Sequence, residues 1–230
     1  MLSDIHKIAS EFSNPITHPE ERGLTDSFEE VCLFLKDHPD FLSWRGGNKP
    51  DVTSLDVGSV RVMANKYFLG YRKSDFPAEP STIPDPMVSH VLNVAYGYPE
   101  SSLSRIRVEH QHSMCAENCV GSLLERYIDS KMRDHGWAWC CGEMVRAIDF
   151  VKYDENNKSW YALQIKNRDN SENSSSSRVR HGTKIEKWFR SFSRRAETNW
   201  GGLPSLMQGY GLSEDGFKEF VKLYLESQKN

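Results

Sequence analysis

The stretch MVRAIDFVKYDENNKSWYALQIKN, residues 144–167, decides the fold. Two apolar runs, Met144–Tyr153 and Trp160–Lys166, flank the turn sequence Asp154-Glu155-Asn156-Asn157, so the segment predicts an antiparallel hairpin. Asp149 lies inside the apolar run AIDFV, where an unpaired carboxylate is costly. On the second strand Gln164 and Lys166 are two positions apart and share one face of the sheet. Asp149 and Gln164 are fifteen positions apart, within one short hairpin, so a carboxylate, an amide and an ammonium meet at one sheet edge.

Phosphodiester hydrolysis uses this combination. Mg²⁺ keeps several waters and needs only one or two protein carboxylates. Asp149 can supply one, with the Gln164 side-chain oxygen and the Ile165 carbonyl as further oxygen ligands. Such an ion polarises a phosphate and acidifies a water, and Lys166 beside it can orient that water and offset negative charge.

The chain around this hairpin reads as mixed α/β. Upstream, Thr25-Asp26-Ser27 precedes FEEVCLFLKDH as a capped helix with Phe28, Val31, Leu33, Phe34 and Leu35 apolar. Gly46-Gly47 makes a turn, and a second helix spans Val57 to Leu69. FPAEPSTIPDP, residues 76–86, holds four prolines and predicts an extended connector. After Pro99, alternation at Ile106 and Val108 gives way to the helical spacing of Val120, Leu123, Leu124, Tyr127 and Ile128, which His135-Gly136 ends. Downstream, a polar loop (Asn167–Ser177), a basic helix (Thr183–Arg195) and a Ser213-capped helix to about Ser227 complete the reading. Residues 1–99 are expected to form a mainly helical region and 100–230 a core carrying the hairpin, with a basic segment and C-terminal helix, or the two to make one continuous domain.

Composition narrows the partners. The net charge is −3, yet Leu163–Arg195 holds nine Lys or Arg against three acids, a formal +6 that leaves −9 elsewhere. A cationic patch on an acidic body suits a protein with one face toward a polyanion. Within and beside the polar loop, Arg168, Asn170, Asn173, Ser174, Arg178, Arg180, Lys184 and Lys187 supply donors for phosphates and base edges. No stretch approaches the roughly 18 apolar residues of a membrane span. The N-terminus lacks a signal-peptide profile, and five cysteines including adjacent Cys140-Cys141 argue against a secreted disulfide framework. Together these predict a cytoplasmic protein.

The pattern Asp149-x14-Gln164-x-Lys166 resembles the PD-(D/E)-x-K nuclease superfamily, with Ile148 in place of proline and Gln164 in place of the second acid. The preceding Gly121-Ser-Leu-Leu-Glu125-Arg126 looks like that superfamily's opening helix, whose glutamate approaches the metal. The resemblance assigns that role to Glu125, with Glu117 as the alternative. The run QIKNRDNSENSSSSRVRHGTKIEKWFR, residues 164–190, more specifically resembles the SinI family of type II restriction endonucleases, and the likeness covers essentially the whole chain. It implies a restriction-endonuclease-like mixed sheet flanked by helices behind a helical N-terminal region, Mg²⁺, double-stranded DNA as substrate, the site GGWCC and a homodimer. Catalytic and metal residues would be Asp149, Gln164, Lys166 and Glu125. Gln164 leaves the site one anion short, which Glu125 makes up or weaker metal binding accepts.

Plainer readings stand beside these. Asp149 could pair with Lys166 in a noncatalytic hairpin, and the basic segment could be a solvated helix face with Trp188 and Phe189 in the core. Pro50-Asp51 and Pro84-Asp85 are turn residues, since no acid-x-Lys follows at hairpin distance on a strand and Asp129-Ser-Lys131 falls within a helix. His110, His112, Cys115 and Cys119 have zinc-ligand chemistry, but the apolar helical pattern accounts equally well for buried cysteines. A structure-specific repair nuclease and a noncatalytic DNA-binding protein on a degenerate nuclease fold are the functional alternatives.

Overall fold

A computed structural model describes residues 2–83, 85–169 and 185–229. Five helices precede the sheet: α1 (Leu2–Phe12), α2 (Leu24–Asp37), α3 (Val57–Arg72), α4 (Pro86–Tyr96) and α5 (Glu100–Met132). Four strands follow, β1 (Ala138–Trp139), β2 (Phe150–Asp154), β3 (Ser159–Arg168) and β4 (Ile185–Ser191), and then α6 (Glu214–Ser227). The sheet order is β1-β2-β3-β4, with β1–β2–β3 antiparallel and β3–β4 parallel. Helix α2 packs on β1 and β2, and α5 on β3 and β1, with α6 against α5. This is the restriction-endonuclease-like mixed sheet between helices that the sequence implied. One hydrophobic cluster runs from Ile5 through Leu35, Tyr67 and Leu124 to Trp188 and Phe217.

Local chemistry explains where the elements begin and end. Asp56 caps α3 by accepting from the Ser59 N–H (3.0 Å), and Ser213 caps α6 by accepting from Gly216 (3.1 Å). Asp51 makes a turn, accepting from the Thr53 N–H at 2.9 Å. Asp85 is an N-cap, with Pro86 at the first helical position, so the proline-rich connector ends by starting α4. After α5, a short 3₁₀ turn leads to Gly136 at φ 76°, the left-handed conformation glycine adopts without cost.

Five expectations need correction. The segment expected as a basic helix over Thr183–Arg195 is strand β4 from Ile185 onward; residues 183 and 184 lie outside the described residues. Ile185, Trp188 and Phe189 have helical spacing, but parallel pairing with β3 satisfies the backbone and buries Trp188. The first hairpin strand runs only over Phe150–Asp154, because Ala147 sits at φ 59° and interrupts extended backbone before it. Helix α2 begins at Leu24 behind a left-handed Gly23, so Thr25-Asp26-Ser27 lies in its first turn and supplies no side-chain cap. The alternation at Ile106 and Val108 is part of α5, a helix of 33 residues. Asn167 and Arg168 belong to the end of β3, not to a loop.

Candidate active site

Asp149 is held from three sides. Its N–H donates to the Leu163 carbonyl (2.9 Å) and its own carbonyl accepts from the Cys140 N–H (2.8 Å), placing it between β1 and β3 just ahead of β2. Its carboxylate accepts from the Ile165 N–H at 2.6 Å. Gln164 therefore sits between the two β3 residues to which Asp149 is bonded. It is buried, and its Oε1 has no hydrogen-bond partner. Lys166, on the same face of β3 by strand alternation, reaches a cleft of about 860 Å³.

The opposite wall of that cleft is α5. Glu117, Asn118, Gly121 and Glu125 line it at helical spacing, facing Lys166, Asn167 and Arg168 of β3 and Arg190, Ser191, Phe192 and Arg195 at and beyond the end of β4. Glu125 is oriented by the Trp139 indole, whose Nε1–H donates to its carboxylate at 2.9 Å. Burial pushes the Glu125 carboxyl well above the ordinary range, the negative Asp149 pushes it further, and Lys166 only partly offsets this. Burial also raises Asp149, against the lowering effects of the Ile165 N–H and Lys166. Two half-buried carboxylates, repelling each other and sharing one ammonium, form an electrostatic deficit that a cation would relieve.

The structure thus brings together Glu125, Asp149 and Lys166, with Gln164 beside Asp149. Glu117 lines the same cleft nearer its mouth, exposed to solvent. Among the described residues no group of three His, Cys, Asp or Glu is placed to hold a metal, so this site offers two carboxylates and a neutral amide. His110, His112, Cys115 and Cys119 lie along α5, where the Cys119 thiol donates to the Ala116 carbonyl. Of the residues expected to meet nucleic acid, Arg168 lines the cleft, and Lys187 pairs in register with Gln164 on β4. Asn170, Asn173, Ser174, Arg178, Arg180 and Lys184 lie outside the described residues.

Several cleft residues were not singled out from the sequence. Arg190 donates to the Asn167 side chain (3.0 Å) and to both oxygens of Glu214 (2.7 and 2.8 Å), tying β3, β4 and α6 together at the cleft floor. Arg195 stacks its guanidinium over Phe192 at 3.5 Å from the ring centroid. Both arginines were visible as charge in the basic window, but only strand pairing shows which face they share. Trp139 had no signal of its own beyond lying in an apolar run ahead of the hairpin.

A mixed sheet carrying a half-buried acid and a lysine across one hairpin, roofed by a helix with a second half-buried acid, defines a restriction-endonuclease-like nuclease. The sequence profile described as "SinI restriction endonuclease" matches residues 7–227. The type II restriction enzyme Eco47I of Escherichia coli is 51% identical over 202 residues, covering 88% of this chain and 87% of its own length. The type II restriction enzyme SinI of Salmonella infantis is 51% identical over 206 residues, covering 90% and 89%. The chain belongs to the SinI restriction endonuclease family, and it is a type II restriction endonuclease, a site-specific deoxyribonuclease acting on double-stranded DNA. The repair-nuclease and noncatalytic readings give way to this one. No helix among the described residues is long and apolar enough to cross a membrane.

Proposed function

We propose that the enzyme cuts both strands of the site GGWCC, the sequence its family resemblance implies, as a homodimer in a Mg²⁺-dependent reaction. The observation that supports the metal is the electrostatic deficit at Glu125 and Asp149, together with the bare, buried Oε1 of Gln164. Glu125 and Asp149 would hold the ion, and Gln164 would offer the neutral oxygen its orphaned atom leaves available. Glu125 suits this role better than Glu117, because it is oriented by Trp139 and lies close enough to Asp149 to feel its charge. Bound Mg²⁺ supplies charge neutralisation at the phosphate and acidification of a water.

The remaining work falls to side chains. Lys166 would hold the attacking water by a hydrogen bond and offset charge accumulating on the phosphate. Arg168 and Arg195 at the cleft walls would take up flanking phosphates, and Arg190 would keep β3 and β4 in register by its bonds to Asn167 and Glu214. A plasmid digest with Mg²⁺, beside Asp149→Ala and an EDTA control, tests the reading. Discrete fragments ending within GGWCC, lost in both controls, support it; fragments ending at another sequence overturn the site, and intact plasmid overturns the reaction.

A further inference from the structure

Helix α4 departs from how this chain treats apolar residues elsewhere. Its sequence PMVSHVLNVAY contains no Asp, Glu, Lys or Arg, yet none of its residues is buried. Met87, Val88, Val91 and Val94 occupy one face at helical spacing and are 49–70% exposed, with Tyr96 72% exposed at the end of the helix. The inward side carries Ser89, Leu92 and Asn93, all only half-buried, where α4 packs on α5. Helices in water bury their apolar stripe, and contiguous exposed patches mark interaction surfaces.

The occupant follows from what else could cover the face. Residues 170–184, NSENSSSSRVRHGTK, hold one apolar residue, Val179, and cannot bury such a stripe. A polyanion is a poor partner for a face without a cation. A second copy of the chain offers the same uncharged face, which self-complementary pairing about a two-fold axis requires. The position fits as well. Gln111 of α5 donates to the Thr82 carbonyl (2.5 Å), so the start of α4 lies at the part of α5 leading to the cleft. Exposed Met114 precedes Glu117 by three residues, about 4.5 Å along the helix axis. Pairing there sets two clefts side by side, as cutting two strands of one duplex demands. A stable dimer covers about 800 Å² per partner with an apolar core and polar rim, and exposed Ile83 and Tyr98 at the two ends of α4 extend its apolar face toward such a size.

We infer that the exposed face of α4 is the dimer interface, two copies of the α4–α5 hairpin packing on each other beside the paired clefts. This rests on the homodimer reading above, and the test separates the two. Sedimentation of the full chain at micromolar concentration is expected to give a dimer, and Val91→Glu/Val94→Glu a monomer that nicks plasmid rather than linearising it. Should the charged variant misfold, Met87→Ala/Val91→Ala/Val94→Ala keeps a strong helix former at each position and is expected to weaken dimerisation by about tenfold or more. Mixing separate Val91→Glu and Val91→Lys proteins should restore the dimer. A wild-type dimer that both variants leave intact would overturn the assignment of the interface and spare the homodimer. A wild-type monomer at concentrations that linearise plasmid would overturn both.

Discussion

Two acids one turn apart on α5, half-buried Glu125 and buried Asp129, are handled in opposite ways. Asp129 is buried and paired with Arg133, whose guanidinium also donates to the carbonyls of Glu20 and Arg22 (2.6 and 2.9 Å) and to the Tyr71 hydroxyl (2.9 Å). Glu125 has a hydrogen bond from one indole and faces another carboxylate. Burial raises both acids, but beyond burial the strongest neighbour of Asp129 is a cation and that of Glu125 is an anion. A compensated buried charge stitches the surroundings of α1–α3 to α5; an uncompensated one is what the proposed function assigns to a ligand.

The contrast predicts separable consequences, largest first. Lys166→Ala and Asp149→Ala should lower the cleavage rate by about a thousandfold or more while leaving duplex binding measurable; a gel-shift assay run beside the digest checks both. Arg133→Ala, which strands Asp129, should destabilise the protein by about 3–5 kcal/mol, seen in urea unfolding. If Arg133→Ala left stability unchanged, the two acids would not differ in the way described.

A third prediction concerns pH. Glu125 and Asp149 have folded-state values raised above their unfolded ones. Their contribution is most favourable below the unfolded carboxylate range and is lost as pH rises from there toward the raised folded values. Glu125→Gln should therefore melt at higher temperature than wild type at neutral pH without metal, and the gap should close in acid. The smallest effect is expected at Gly121, where an added Cβ would meet nothing within 4 Å. Gly121→Ala should stabilise α5 by up to about 1 kcal/mol. It should also weaken DNA binding slightly by narrowing the cleft, which a salt-controlled titration would show.

What the sequence disclosed tracks what is local. The β2–β3 hairpin around Asp154–Asn157, the α5 stripe and the Ser213 cap are set by neighbours within a few residues, and they were legible. The pairing of β4 was not, because Ile185, Trp188 and Phe189 satisfy helical and strand readings alike and only the partner strand decides. The same holds at the site. Asp149, Gln164 and Lys166 lie on one hairpin and could be placed from spacing, and Glu125 came through family resemblance. Arg190 and Arg195 reach the cleft, and Trp139 reaches Glu125, only through contacts between separate segments. The exposed stripe of α4 was hidden for a related reason: the proline-rich connector over residues 76–86 was legible, and nothing local reveals that the helix beyond it is left uncovered.

The central claim is that Glu125 and Asp149 are held apart from compensation so that a divalent ion can complete them. Thermal midpoints of wild type and Glu125→Gln, measured with and without saturating Mg²⁺ from acid to neutral pH, test it most directly. The account predicts that Mg²⁺ raises the wild-type midpoint, increasingly so as pH rises and the carboxyls give up their protons, and that the variant loses most of this gain. An equal Mg²⁺ effect in both proteins, or one that does not change with pH, would contradict it.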